Sequence, residues 1–254
     1  MSAFDWKSQV VVVTGASAGI GASLARELGR REARVVLTAR RPEKLAEVAR
    51  SAGEGHLVVP ADVTRREDVA RIASAAIERF GHVDVWVNNA GRGITRPILE
   101  LTDDDVDAMV RDNLKSVLYG MQVIVPHFKA QKRGHLVNVA SMLARIPFAG
   151  IRSAYCAAKA AMVSLTETMR MELAREVPAV RVTTVFPGVV TTDFGLNALG
   201  GGPDSRAMPH SQTPEAVATV VADAIEQRRG GDVYTRAGAL DQVLEYLRGL
   251  ASGT

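Results

Sequence analysis

The sequence predicts an α/β fold: a doubly wound, mainly parallel sheet of seven strands with helices on both faces, in a single domain spanning residues 1–254. Three observations predict it. Short apolar runs alternate with helix-length segments along the whole chain, the order that a parallel sheet with crossover helices requires. The first run, Val10-Val11-Val12-Val13, passes straight into a glycine turn and then a helix. No linker, repeat or break in composition divides the 254 residues.

The elements follow in order. After the first strand, the turn Thr14-Gly15-Ala16-Ser17-Ala18-Gly19-Ile20-Gly21 leads into a helix over Ile20 to Arg31. Arg34 to Ala39 reads as a strand, and Pro42 to Ser51 as a helix opened by proline at its first position. His56 to Ala61 and Arg66 to Phe80 form the next strand and helix, followed by a strand over Val83 to Asn88. Asp103 to about Lys132 reads as one long helix, with Thr102 as its cap and acids in its first turn. His135 to Ala140 is the fifth strand, Ser153 to Glu176 an alanine-rich helix, and Val180 to Phe186 the sixth strand. Pro214 to Gln227 is a helix and Asp232 to Thr235 the last strand. Leu240, Val243, Leu244 and Leu247 mark an amphipathic closing helix.

Composition excludes several classes. Apolar residues make up 47% and charged residues 23%, with a net charge of +3, the balance of a globular protein. The arginines are interleaved with acids, as in Thr64-Arg65-Arg66-Glu67-Asp68, so no stripe for nucleic acid is expected. The single cysteine, Cys156, rules out an intrachain disulfide, and the five histidines lack paired ligand spacing, so no metal is expected. The first residues carry no apolar signal core, and no apolar run approaches the roughly 18 residues of a membrane span. A cytoplasmic protein without a membrane partner is the expectation.

The chemistry gathers at one edge. In a sheet of this kind ligands bind beyond the carboxyl ends of the strands. The six strand ends there carry the glycine turn, Arg40, Asp62, Asn88-Asn89-Ala90-Gly91, Ser141 and Pro187-Gly188. Gly15 permits a sharp turn, and Gly19 and Gly21 let backbone approach a pyrophosphate set on the helix amino end. Where NAD sites place an acid at the end of the second strand, this chain has Ala39-Arg40-Arg41. A guanidinium suits a 2′-phosphate, so NADP(H) is favoured over NAD(H). Tyr155 and Lys159 are four apart on one helix face, where an ammonium can assist a phenol in giving up a proton, and Ser141 could hold the oxygen that receives it.

These residues resemble the short-chain dehydrogenase/reductase family in its compact, Rossmann-like form, from about Gln9 to Thr235. The resemblance rests on Thr-Gly-x3-Gly-x-Gly at Thr14 to Gly21, Asn-Asn-Ala-Gly at Asn88 to Gly91, Pro187-Gly188, and the set Asn113, Ser141, Tyr155 and Lys159. It implies NADP(H)-dependent hydride transfer between the nicotinamide and a carbonyl or secondary alcohol. Tyr155 would be the general acid or base, Lys159 its cation and ribose holder, Ser141 the donor to the substrate oxygen, and Asn113 the holder of a water. The cofactor is expected against Gly15, Ser17, Gly19, Ile20 and Gly21, against Arg40 and Arg41, and against Asp62 and Val63, Asp62 holding the adenine. It continues along Asn89, Ala90 and Gly91 to Tyr155 and Lys159. Pro187, Gly188, Val190 and Thr191 or Thr192 complete the contacts, one of the threonines at the nicotinamide amide. The alternative is an idle NADP(H)-binding regulator or scaffold.

The segment Gly188 to Gln212, with Gly200-Gly201-Gly202, is expected to be a mobile lid. Met142, Leu143, Ile146, Phe148, Val189, Phe194 and Leu196 suggest a mostly apolar substrate pocket, with Ser141, Leu143, Phe148, Tyr155 and Phe194 against a small-molecule carbonyl substrate. The helices Asp103–Lys132 and Ser153–Glu176 carry apolar residues on more than one face, and family members often pair through them. A homodimer or homotetramer is therefore expected.

Overall fold

The computed structural model describes residues 4–252; the outermost residues of the predicted span lie outside the described residues. Seven parallel strands form one sheet in the order β3-β2-β1-β4-β5-β6-β7. They are β1 (Val10–Thr14), β2 (Arg34–Ala39), β3 (Leu57–Pro60), β4 (Val85–Asn88), β5 (Gly134–Val139), β6 (Val180–Phe186) and β7 (Gly231–Tyr234). β1 lies between β2 and β4, so the order reverses beside it, and in sheets of this kind ligands bind outside the carboxyl ends of the strands at such a reversal.

Alternation builds the two faces. Val10 and Val12 point into one core with Trp86, Ile124, Phe128 and Leu136, under α3 (Arg66–Phe80), α5 (Ser116–Gln131), α6 (Ser153–Glu176) and α8 (Ala239–Ser252). Val11 and Val13 point into the other with Leu24, Leu28, Leu37 and Val221, under α1 (Gly19–Arg30), α2 (Pro42–Ala52) and α7 (Pro214–Glu226). Strands buried on both faces read as unbroken apolar runs, which is why they are visible in the sequence.

The long helix predicted over Asp103 to Lys132 is not uniform. It comprises α4 (Asp103–Val110), a π turn at Arg111–Lys115, and α5. Its start is as expected: Thr102 accepts from the Asp105 amide and Asp105 answers on the Thr102 amide, a reciprocal cap. The π turn carries Asn113 and buries it completely. An extra residue in the turn re-aims a side chain that a regular helix would place elsewhere, and such turns cluster at functional sites.

A buried polar chain fixes α6 against the sheet. Trp86 Nε1 donates to Asn88 Oδ1 (2.8 Å), Asn88 Nδ2 to Asn138 Oδ1 (2.9 Å), and Asn138 Nδ2 to Thr166 Oγ1 (2.9 Å). Thr166 in turn donates to the Met162 carbonyl within α6 (2.8 Å). Gly120 lets α5 cross here: a methyl on it would strike the Asn88 and Trp86 side chains. A satisfied buried network specifies one register, and this one sets the helix that carries Tyr155 and Lys159. No helix among the described residues is long and apolar enough to cross a membrane.

Candidate active site

The glycine turn is stitched to the end of β4. Thr14 Oγ1 accepts from the amides of Asn89 (2.9 Å) and Ala90 (3.0 Å), and Asn89 Nδ2 donates to the Thr14 carbonyl (2.8 Å). Gly15 and Gly19 hold φ of 69° and 52°, the left-handed region that favours glycine. A methyl on Gly21 would run into the Gly15 carbonyl and the Asn89 amide. The helix cap, Ala18, offers no side-chain acceptor to the first amides of α1. Glycine backbone ending on uncapped helical amides has the chemistry that fits a pyrophosphate.

At the end of β2, Arg40 and Arg41 are exposed, and no carboxylate pairs with either among the described residues. Arg41 Nη2 donates to Ser17 Oγ (3.1 Å), so Arg41 rather than Arg40 touches the glycine turn. Asp62 lies at the third strand end with Val63, both half-buried. Its Oδ1 accepts from the Thr64 amide and hydroxyl (3.0 and 2.8 Å), which fixes the carboxylate beside the cleft.

The four residues singled out as a set come together. Ser141 follows β5 and caps a short turn, its Oγ accepting from the Leu143 amide (3.2 Å). Tyr155 and Lys159 are buried one turn apart on α6, with the Lys159 Nζ 5.9 Å from the centre of the Tyr155 ring. Lys159 Nζ donates to the Val139 carbonyl (2.9 Å). Asn113 Nδ2 donates to the Arg92 and Met109 carbonyls (2.9 and 3.2 Å), and its Oδ1 accepts from the Arg92 amide (3.1 Å). A methyl on Gly91 would lie 2.8 Å from Asn113 Oδ1 and 3.5 Å from Lys159 Nζ, so the amide and the ammonium flank the same glycine.

Burial governs their ionisation. Desolvation pushes the Tyr155 phenol up to about 12, against the pull of the neighbouring Ser141 hydroxyl and, more weakly, of Arg152. It brings the Lys159 ammonium down to about 8. The phenol is thus held protonated, next to an ammonium that donates to one backbone carbonyl.

The segment 188–212 is folded down rather than open. Val190 and Gln212 bridge at its base, and the Thr191 and Gln212 amides close it (2.9 and 2.8 Å). Its middle bridges Ile94 through Leu199, with Leu199 N donating to Gly93 O (2.9 Å) and Thr95 N to Leu199 O (2.8 Å). Thr191 Oγ1 is engaged on Gln212 O, whereas the Thr192 methyl would lie 3.2 Å from a methyl on Gly19, so Thr192 is the threonine that faces the glycine turn. Pro187 accepts from the Met142 amide (2.9 Å), and Gly188 follows it at the cleft edge.

Of the residues expected around a substrate, Leu143 packs with Tyr155, and the Phe194 ring meets the Tyr155 ring edge-on at 5.6 Å. Phe148 stands apart, 65% exposed. The expectation of a mostly apolar pocket missed Arg152, whose guanidinium reaches the Ile94 carbonyl (3.1 Å) beside Phe194. Its place three residues before Tyr155, just ahead of the helix, was the available signal. The Asn138–Thr166 link was missed as well, since each residue alone reads as an ordinary polar position.

Comparison with known proteins agrees with this arrangement. The sequence profile described as short chain dehydrogenase matches residues 9–198. An uncharacterized oxidoreductase of Listeria innocua is 36% identical over 230 residues, covering 87% of this chain and 92% of the relative. The crystal structure of a short chain dehydrogenase/reductase from Burkholderia phymatum in complex with NAD superimposes with a TM-score of 0.89 at 27% identity, covering 100% of this chain and 97% of that one. A metagenomic short-chain oxidoreductase in complex with NADP gives 0.75 at 32% identity, covering 91% and 98%. With its reversed strand order, its glycine cradle and this breadth of match, the chain belongs to the short-chain dehydrogenase/reductase family of oxidoreductases.

Proposed function

We propose that the whole chain acts as one NADP(H)-dependent domain that moves a hydride between the nicotinamide and a carbonyl or secondary alcohol. The observation that carries this is the gathering of Ser141, Tyr155, Lys159 and Asn113 at the carboxyl ends of β4 and β5, beside the glycine cradle. NADPH, when bound, supplies the hydride. Tyr155 gives its proton to the carbonyl oxygen as the carbon is reduced, and takes one back in the oxidation. The Ser141 hydroxyl donates to that oxygen, where charge develops. Lys159 stabilises the phenolate left behind and reaches the ribose side of the cleft. Asn113 holds Gly91-Arg92 in position against Lys159, on the side from which a proton can be resupplied.

The preference for NADP(H) is supported by two exposed arginines without carboxylate partners among the described residues and by the Arg41–Ser17 bond, a cation and a hydroxyl side by side at the glycine turn that suit a 2′-phosphate. An assembly of like chains is supported by two separate apolar surfaces. α6 leaves Leu165 and Met171 exposed on one. α8 leaves Leu240, Leu244, Leu247 and Leu250 exposed on the other. Two exposed apolar faces suit a dimer or a tetramer built on two-fold axes, and light scattering on the purified chain tests this. The enzyme reading is tested by NADPH absorbance against a panel of ketones, aldehydes and 3-oxoacyl thioesters. Turnover that vanishes in Tyr155→Phe is expected. Tight NADPH binding without turnover of any substrate would favour the regulator reading.

A further inference from the structure

Beside Tyr155 and Phe194 stands a cation that no carboxylate among the described residues neutralises. Arg152 is half-buried and stands at the amino end of α6, whose first turn holds no acid. A helix amino end carries partial positive charge, so a guanidinium there is unfavourable unless an anion joins it. Three neighbouring arginines have such partners: Arg96 pairs with Asp105 (3.0 Å), Arg145 with Asp232 (2.7 Å), and Arg206 with Asp193 and Asp204, whereas Arg92 reaches only the Asn197 carbonyl (3.4 Å), in a more exposed contact. Among the described residues no carboxylate pairs with Arg152. Burial holds its guanidinium below the usual arginine range, against the opposing influence of Tyr155 and Cys156.

Its surroundings are those of a receptor. Nη1 donates to the Ile94 carbonyl (3.1 Å). A methyl on Gly93 would lie 2.9 Å from that nitrogen and 2.9 Å from the Phe194 ring, which itself packs on Tyr155. A methyl on Gly202 would lie 3.1 Å from Arg152 Nη2 and 2.8 Å from Thr95 Oγ1. That hydroxyl is buried and has no hydrogen-bond partner. A cationic donor and an unpaired hydroxyl therefore converge on one spot, which the Gly202 backbone and, 2.6 Å from a methyl there, the Gly195 carbonyl oxygen now occupy.

We propose that Arg152, with the Thr95 hydroxyl beside it, binds a carboxylate on the substrate, so that the chain acts on carbonyl compounds that also carry an acid group. This rests on the hydride-transfer reading above. The planar fork of a guanidinium matches a carboxylate. With Nη1 engaged on Ile94, the Nη2 side remains to meet one negative charge. Glycine backbone fills the spot in this structure, so the carboxylate enters as the 188–212 segment yields. The acid then lies beside Phe194, which already reaches Tyr155, and the carbonyl is presented to the phenol.

The test compares straight-chain 3-oxoacids with their methyl esters, using NADPH. The intact chain should prefer acid over ester in kcat/KM. In Arg152→Gln that ratio should fall about ten- to hundredfold, through KM, the usual worth of charge-assisted bonds, and Arg152→Lys should retain part of it. Equal loss for acid and ester in Arg152→Gln, or an intact chain that prefers the esters, overturns the proposal. A second readout needs no turnover: hexanoate, and not hexanamide, should raise Tm, and Arg152→Gln should abolish the rise. Esters reduced with no acid preference and no hexanoate effect would leave the reductase standing and remove the anion site. A hexanoate rise dependent on Arg152, with no substrate reduced, would keep the anion site and remove the hydride reading. The absence of both turnover and a hexanoate effect overturns both readings.

Discussion

The two ends of the cleft are built from different material. At the glycine turn, the Thr14 hydroxyl and the Asn89 side-chain amide bond to backbone at the ends of adjacent strands, and Gly15, Gly19 and Gly21 leave no room for side chains of their own. At the other end, around Tyr155, three segments far apart in sequence lie against each other: Gly93–Arg96, Ser141–Arg152 and residues 188–212. The first end makes a shape common to any dinucleotide. The second makes a shape from whichever side chains the loops happen to carry. The contrast teaches that the reaction class is encoded in strand ends and the substrate in loop packing.

The largest expected effect breaks the chemistry where the ends meet. Tyr155→Phe should lower kcat by roughly 10²–10⁴, the usual worth of a general acid, with Tm and NADPH affinity little changed; turnover near that of the intact chain would remove Tyr155 from its role. Lys159 should show the opposite trade. Its ammonium is brought down to about 8 by burial, against an ordinary 10.5. The folded chain therefore releases this proton earlier than the unfolded one, and below pH 8 the burial penalty is fully present. As pH rises from about 8 to 10.5 that penalty is relieved and stability increases. Lys159→Met should raise stability at pH 7 by roughly 1–3 kcal/mol, flatten that rise and abolish turnover. Urea midpoints at pH 7 and 9.5 measure this, and a midpoint that drops at pH 7 contradicts it.

The glycines sharpen the comparison. Gly21→Ala at the cofactor end forces a methyl against the Gly15 carbonyl, and overpacking of this kind costs about 1–3 kcal/mol, with NADPH binding lost as the turn shifts. Gly201→Ala in the lid meets no neighbour within 4 Å, and only its φ of 73° resists, at about 1–2 kcal/mol; cofactor affinity should be spared. Arg41→Ala should weaken NADPH about tenfold while sparing NADH, since charge-assisted bonds to the 2′-phosphate are worth roughly 1.5–3 kcal/mol. Equal weakening of both cofactors would place Arg41 outside the phosphate site.

The same division explains what was legible in the sequence. Strands buried on both faces show as unbroken valine runs, and turns that need glycine show as glycine, so the sheet and the glycine cradle could be read directly. The Tyr155–Lys159 spacing could be read because a helix repeats at a fixed period. The π turn at Asn113 could not, because no composition marks an inserted residue in a helix. The Asn88–Asn138–Thr166 chain joins residues up to 50 positions apart, and only the fold reveals that they meet. The segment 188–212 was legible as a long connection, but its pairing of Leu199 with Ile94 belongs to tertiary packing. Arg152 was hidden for the same reason: an arginine gains meaning only when its lack of a carboxylate can be seen.

The smallest effect separates the two phenylalanines expected at the substrate. Both are large apolar residues in the segments flanking Tyr155, and sequence reasoning weighs them alike. The structure does not: Phe148 is 65% exposed, whereas Phe194 is 39% exposed and meets the Tyr155 ring. Phe148→Ser should change stability by no more than about 0.5 kcal/mol, as for a surface substitution without partners, and leave kcat/KM within a factor of two of the intact chain, taken as roughly the same energy. Phe194→Ser removes an aromatic contact worth about 0.5–1.5 kcal/mol and should raise KM severalfold without lowering Tm in proportion. A matching rise in KM for Phe148→Ser would mean that the 142–152 segment swings inward when substrate binds, and the substrate end would then be assembled by the ligand rather than held ready by the fold.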